Sequence, residues 1–169
     1  MNKFSHPLMD NNIDQSDVNE VIKFLKKNKK RIFTQSHQVN KFEKLWSQWL
    51  KVKYSVFVNS GSSANLLTLQ ILKILYGTGE IIVPPLTWIS DVAAVIQSNF
   101  KPIFADINPK NLCMDEREII KKISKKTVAV FLTHAQGFNG LSKNLLKILK
   151  KKKIILIEDV CESHGATFR

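Results

Sequence analysis

Short apolar runs alternate with stretches of helical periodicity through the last two thirds of the chain, and this alternation constrains the fold more than any other feature. The runs are residues 54–58, 80–83, 102–107, 128–133 and 154–157; Asn59 to Ser63 follow the first, Gly79 and Pro84 bound the second, and Glu158 and Asp159 follow the last. Between them, Leu66, Leu69, Leu72 and Ile74 recur at helical spacing, and further helices are read through Ala93, Val95 and Ile96 and over the segments 115–123 and 141–152. Strands that are continuously apolar are buried on both faces. Alternating with helices, they predict an α/β fold with a mostly parallel sheet and helices on both sides.

In such a sheet, ligands bind outside the carboxyl ends of the strands. Here those ends supply Ser60 to Ser63, Pro85 to Trp88, Asp106, His134 to Gly137, and Asp159 to His164. The first end is the most informative, because Asn59-Ser60-Gly61-Ser62-Ser63 leads directly into a helix. The N–H groups of a helix's first turn have no intrahelical partner, and the helix dipole adds partial positive charge there; with the hydroxyls of Ser60, Ser62 and Ser63, such a corner suits a phosphate. The same run also reads as an ordinary N-cap. No Gly-Lys-Ser/Thr follows and no G-x-G-x-x-G is present, so a nucleotide P-loop and a dinucleotide fingerprint are both excluded.

Ahead of this region, Val18, Val21, Ile22 and Leu25 predict a helix over 14–30, with Asp14 or Ser16 as its cap. Val39, Phe42, Leu45, Trp46 and Trp49 predict a second over 37–49. Both read as surface helices packed by one face, with Trp46 and Trp49 as core anchors. The 169 residues suit one domain, and 44% hydrophobic residues suit a soluble globular one. No apolar run reaches the roughly 20 residues of a membrane span, and the first residues lack the apolar core of a signal peptide. Cys113 and Cys161 lack metal-ligand spacing and read as two unpaired thiols, so a cytoplasmic location is expected and no metal.

The net charge of +12 raises nucleic-acid binding as a rival function. Its lysines cluster at 26–31, 121–126 and 147–153, at predicted helix ends or just before strands, where cations favour the helix C-terminus. No aromatic residues interleave with them as a base-stacking platform would require. Solvated faces are the expectation.

Four stretches taken together, NSGSSANLL at 59–67, IIVPPLTWISDVAAVIQSNFKPIFADI at 81–107, THAQGFNG at 133–140 and LIEDVCESHGATF at 156–168, resemble the DegT/StrS family of pyridoxal-phosphate-dependent sugar aminotransferases and dehydratases. The resemblance covers nearly the whole chain, with the four motifs in family order. It implies the fold type I architecture of pyridoxal phosphate enzymes, with Gly61, Ser62 and Ser63 holding the cofactor phosphate. It further implies that Trp88 stacks on the pyridine ring and that Asp159 pairs with the protonated ring nitrogen, keeping the ring an electron acceptor. Glu162 stands where many relatives carry a Gln that contacts the ring oxygen. His134 and His164 are implied as substrate-side or supporting groups.

The resemblance also implies that the lysine amine that reacts with the cofactor aldehyde, or a histidine in its place, falls beyond Arg169. On that basis residues 1–169 correspond to the N-terminal part of the large, cofactor-binding domain, with 1–50 as a helical N-terminal segment and the C-terminal domain absent. Such a piece is expected to be catalytically silent on its own. The expected reaction moves an amino group from an amino acid such as glutamate to a nucleotide-linked keto-sugar, in surface polysaccharide biosynthesis, by a homodimer. The alternatives are a pyridoxamine-phosphate-dependent 3-dehydratase of the same family and a non-catalytic or nucleic-acid-binding basic module.

Overall fold

The structure is a computed structural model that describes residues 12–27, 29 and 33–168. Contacts within the chain divide it into two units, 1–57 and 58–169.

The first unit contains helices α1 (Gln15–Lys27) and α2 (His37–Leu50). Asp14 caps α1, its Oδ1 accepting from the Ser16 and Asp17 amides at 2.7 and 3.1 Å, while Ser36 caps α2. The apolar stripes have the predicted period, but Val18, Val21, Ile22 and Leu25 are all exposed, so α1 is not packed by that face. Trp46 is half-buried and Trp49 exposed. Rather than anchoring a closed core, they form an aromatic ladder along α2, with ring centroids 5.6 Å apart for Phe42 and Trp46 and 4.9 Å for Trp46 and Trp49. Residues 54–58 are also not a strand as expected. A strand requires a neighbour to take its alternate N–H and C=O groups, and this segment joins none of the described strands; the Phe57 amide donates instead to Glu43 Oε1 at 2.8 Å.

The second unit runs α3 (Gly61–Tyr76), β1 (Glu80–Val83), α4 (Ile89–Gln97), β2 (Lys101–Phe104), α5 (Glu116–Lys122), β3 (Thr127–Thr133), a short 3-10 turn (Ala135–Gly137), α6 (Lys143–Lys152) and β4 (Ile155–Asp159). All pairings are parallel and the spatial order is β2-β1-β3-β4. From β1 the chain steps outward to β2, then returns across β1 to β3 and on to β4. A single crossover hand requires this reversal to change the face on which the connecting helix lies.

The cores show that change. Ile81 and Val83 of β1 and Ala129 and Phe131 of β3 pack with Leu69 and Leu72 of α3 and Ala94 and Val95 of α4. The alternate residues Ile82, Val130 and Leu132 pack with Ile119 of α5 and Leu145 and Leu149 of α6. Gly79 leads into β1 where a Cβ would lie 2.6 Å from Val128 Cγ2 and 2.7 Å from the Lys126 oxygen, so only glycine fits. The reversal places the topological switch point between the adjacent strands β1 and β3, where a ligand crevice belongs.

Candidate functional site

At the switch point the alternation of the strands decides which side chains meet. Thr133 ends β3 on the same face as Ala129 and Phe131, and its register partner on β4 is Asp159, which shares a face with Ile155 and Ile157. That face is the one covered by α3 and α4. Asp91, in the first turn of α4, reaches down to it: Thr133 Oγ1 donates to Asp91 Oδ2 at 2.8 Å, Thr87 Oγ1 also bonds Oδ2, and the two threonine hydroxyls are 2.7 Å apart. From α3, Asn65 Nδ2 donates to Asp91 Oδ1 at 2.7 Å and to Ser90 Oγ at 3.3 Å. Asp91 is fully buried. Burial pushes its carboxyl above the usual carboxylate range, against the lowering effect of the Thr87 and Thr133 hydrogen bonds, and the charge of neighbouring Asp159 pushes the same way.

This network ties the start of α3 to the end of β4. Ser60 caps α3, its Oγ accepting from the Ser63 amide at 3.2 Å, and the first i to i−4 bond of the helix runs from Ala64 to the Ser60 oxygen at 3.1 Å. The Gly61 and Ser62 amides therefore precede the helical ladder, and both residues are exposed. Nothing lies within 4 Å of the position a Cβ would take on Gly61. Asn65, one turn along, carries the connection to Asp91. Ser60, then, is an N-cap, and the exposed amides after it are free of the helical ladder.

Trp88 is the residue ahead of α4 and is 75% exposed, a free indole face at the carboxyl end of β1 instead of a core ring. Asp159 is half-buried, and its Oδ1 accepts from the Cys161 amide at 2.9 Å. His134 is 7% exposed, with both ring nitrogens engaged. The Gly140 amide donates to Nδ1 at 3.3 Å, which leaves the proton on Nε2 for Glu158 Oε2 at 2.9 Å. His134 thus braces the loop after β3. His164 is exposed on the turn that follows β4. Among the described residues no group of three or more His, Cys, Asp or Glu side chains could hold a metal, and both cysteines are free thiols.

Glu162 spans the two loops. Its Oε2 accepts from the Gln136 amide at 2.6 Å and its Oε1 from Gln136 Nε2 at 3.4 Å. Gln136 has φ +54° and Gly137 φ +78°, and a Cβ on Gly137 would come 2.8 Å from the Glu162 carbonyl oxygen. The close approach requires glycine. The carboxylate holds a tight turn in place, a role that its position in the sequence did not disclose.

The residues missed by sequence reasoning are Asn65, Thr87, Asp91 and Thr133. Asp91 occupies the third position of α4, where an acid is normally read as a helix-dipole residue, and Thr133 looks like the end of an apolar strand. The available signal was a polar residue on the inner face of a strand otherwise apolar.

A four-stranded parallel sheet covered by helices on both faces, with its switch point between β1 and β3, defines an open α/β domain. Residues 11–169 match the DegT/DnrJ/EryC1/StrS aminotransferase family, and the chain belongs to that family. It is 32% identical over 165 residues to the GDP-4-keto-6-deoxy-D-mannose 3-dehydratase of Yersinia pseudotuberculosis, covering 95% of this chain and 41% of that protein. It is 32% identical over 127 residues to the GDP-perosamine synthase of Vibrio cholerae, covering 75% of this chain and 34% of that one. The E. coli GDP-4-keto-6-deoxy-D-mannose-3-dehydratase with bound hydrated PLP superposes with a TM-score of 0.87 at 29% identity, over 98% of this chain and 43% of that chain. The chain thus spans less than half the length of these relatives, and the expected PLP-dependent α/β architecture is borne out over that part.

Proposed function

We propose that this chain forms the cofactor cradle of an enzyme that uses pyridoxal or pyridoxamine phosphate to transfer an amino group from an amino acid, glutamate being the expected donor, to a nucleotide-linked keto-sugar. The observation that carries the proposal is the single hydrogen-bonded path from α3 through Asn65, Asp91 and Thr133 to the strand position beside Asp159. It supports reading the start of α3 and Asp159 as parts of one site at the carboxyl edge of the sheet.

The residues present fit the cofactor. The exposed amides of Gly61 and Ser62, the open space at Gly61 and the hydroxyls of Ser62 and Ser63 suit its phosphate. Asp159 suits its ring nitrogen, and Trp88 offers an uncovered aromatic face for its ring. When bound, the cofactor supplies an electron sink for carbanion chemistry. The chain's own residues bind and orient it: the helix start neutralises phosphate charge, and Asp159 holds a proton on the ring nitrogen. Glu162 keeps the loop after β3 folded beneath the site. His134 and His164 are assigned to support of these loops and to the substrate side respectively.

A second reading, 3-dehydration of the same class of sugar, is favoured by the Yersinia 3-dehydratase matching 95% of this chain. The two differ at the residue that the family resemblance places after Arg169. A lysine there can bond the cofactor and shuttle protons, which suits amino transfer. A histidine moves protons without a covalent link, which suits loss of a hydroxyl. The role in surface polysaccharide synthesis, a cytoplasmic site and a homodimer belong to the same proposal; the uncovered apolar stripe of α1 supports self-association, and no described helix is long and apolar enough to cross a membrane. The test is to express the gene with whatever coding sequence follows Arg169 in frame and supply glutamate and a nucleotide-linked 4-keto-sugar. Amino-sugar product supports the first reading, and deoxygenated product without amino transfer replaces it with the second.

A further inference from the structure

Three oxygens, Asp91 Oδ2, Thr87 Oγ1 and Thr133 Oγ1, form a triangle in which each pair is within hydrogen-bond distance. The two threonines bring two hydroxyl protons to three oxygen–oxygen contacts. With Asp91 ionised, one contact would be a bare approach of two oxygens; with a proton on Oδ2, all three are hydrogen bonds running round the triangle. The other carboxyl oxygen, Oδ1, accepts from Asn65 Nδ2 at 2.7 Å, as a carbonyl oxygen of a neutral acid does.

Beside this triangle lies a second carboxyl. Asp159 is the strand partner of Thr133 on the same face, and it is the ionisable group that acts on Asp91. Two adjacent carboxyls do not both ionise readily, and the proton goes to the member whose charge is least tolerated. Asp91 is fully buried, whereas Asp159 is half-buried and its Oδ1 accepts from the Cys161 amide. The neighbouring ionisable pair, His134 and Glu158, is closed on itself by its own hydrogen bond.

We propose that Asp91 is a neutral carboxylic acid at neutral pH, its proton closing the hydrogen-bonded triangle with Thr87 and Thr133, and that it is the positioning residue for Asp159 beside it at the crevice. The protonation of Asp91 stands on the geometry; its consequence for Asp159 as a partner of the cofactor ring rests on the cofactor reading above. The arrangement also explains an acid buried among Thr87, Thr133, Asn65 and Ser90 with no cation against it among the described residues.

The experiment is carboxyl 13C NMR of the full chain labelled at aspartate Cγ, with the Asp91 resonance assigned from Asp91→Asn. Asp91 should keep its protonated shift through neutral pH, and Asp159→Asn should move its midpoint downward. Titration of Asp91 in the ordinary carboxylate range, or a midpoint unmoved by Asp159→Asn, overturns the proposal. Binding of pyridoxamine phosphate gives a second readout. Asp91→Asn, a neutral isostere, should keep affinity within about threefold, and Asp91→Ala should lose about tenfold, the scale of one buried hydrogen bond. An Asp91→Asn loss as large as that of Asp159→Asn would show that Asp91 acts as an anion and overturn the proposal. If the wild type binds no pyridoxamine phosphate, the cofactor reading fails while the titration still decides the state of Asp91.

Discussion

Glu162 shows what a single atom changes. Its two carboxylate oxygens accept from the Gln136 amide and side chain, and both contacts need an acceptor. A glutamine at 162 offers one oxygen and turns an N–H2 group towards one of the two donors. Glu162→Gln is expected to cost about 0.5–1.5 kcal/mol, one hydrogen bond's worth, read as a lower Tm in a thermal melt; an unchanged Tm would show that the loop does not depend on the carboxylate. At this scale the sequence disclosed a residue whose role lies in its own neighbourhood, the Ser60 cap of α3. It concealed those whose role depends on a neighbour across the sheet. Asp91 and Thr133 are 42 positions apart, and only the register of β3 on β4 together with the reach of α4 brings them to one place.

Elements were legible where local pattern determines them. The run at 80–83 is β1 with the bounds its apolar residues suggest, and the segment 141–152 begins one cap later than expected because Ser142 takes the Leu145 amide at 2.9 Å. Residues 54–58 have the composition of a strand without the pairing, which no local pattern contains. The α1 stripe likewise has helical period without burial. Helix α3 joins the two kinds of information, since its cap is local and its use is not. Ser60→Ala removes the bond to the Ser63 amide and is expected to destabilise by about 1 kcal/mol while loosening the anion corner. A melt together with phosphate-competition binding checks both, and a lowered Tm with undiminished anion affinity would separate the cap from the site.

Across the second unit, the basic residues and the candidate site residues occupy opposite ends of the sheet. Lys121 and Lys122 end α5, Lys150 to Lys152 end α6, Lys101 opens β2, and the Lys126 carbonyl accepts from the first amide of β1. Helices antiparallel to the strands carry their cationic C-termini to the amino edge, whereas Gly61 to Ser63, Trp88 and Asp159 lie at the carboxyl edge. The lysines that end α5 and α6 therefore complement helix dipoles, and DNA or RNA binding should be weak at physiological salt and fall steeply as salt rises. Filter or anisotropy assays across salt would show this; tight, sequence-selective binding at about 200 mM salt would reassign the function.

The most direct test of the account is calorimetric titration of the protein, expressed with any in-frame sequence after Arg169, with pyridoxamine phosphate. Its amine cannot condense with the many surface lysines, so the measurement reports the cradle alone. The account predicts saturable one-to-one binding to the wild type, weakened about tenfold or more by Asp159→Asn, which removes a charge-assisted hydrogen bond. Absence of saturable binding, or equal affinity in the Asp159→Asn variant, would contradict it.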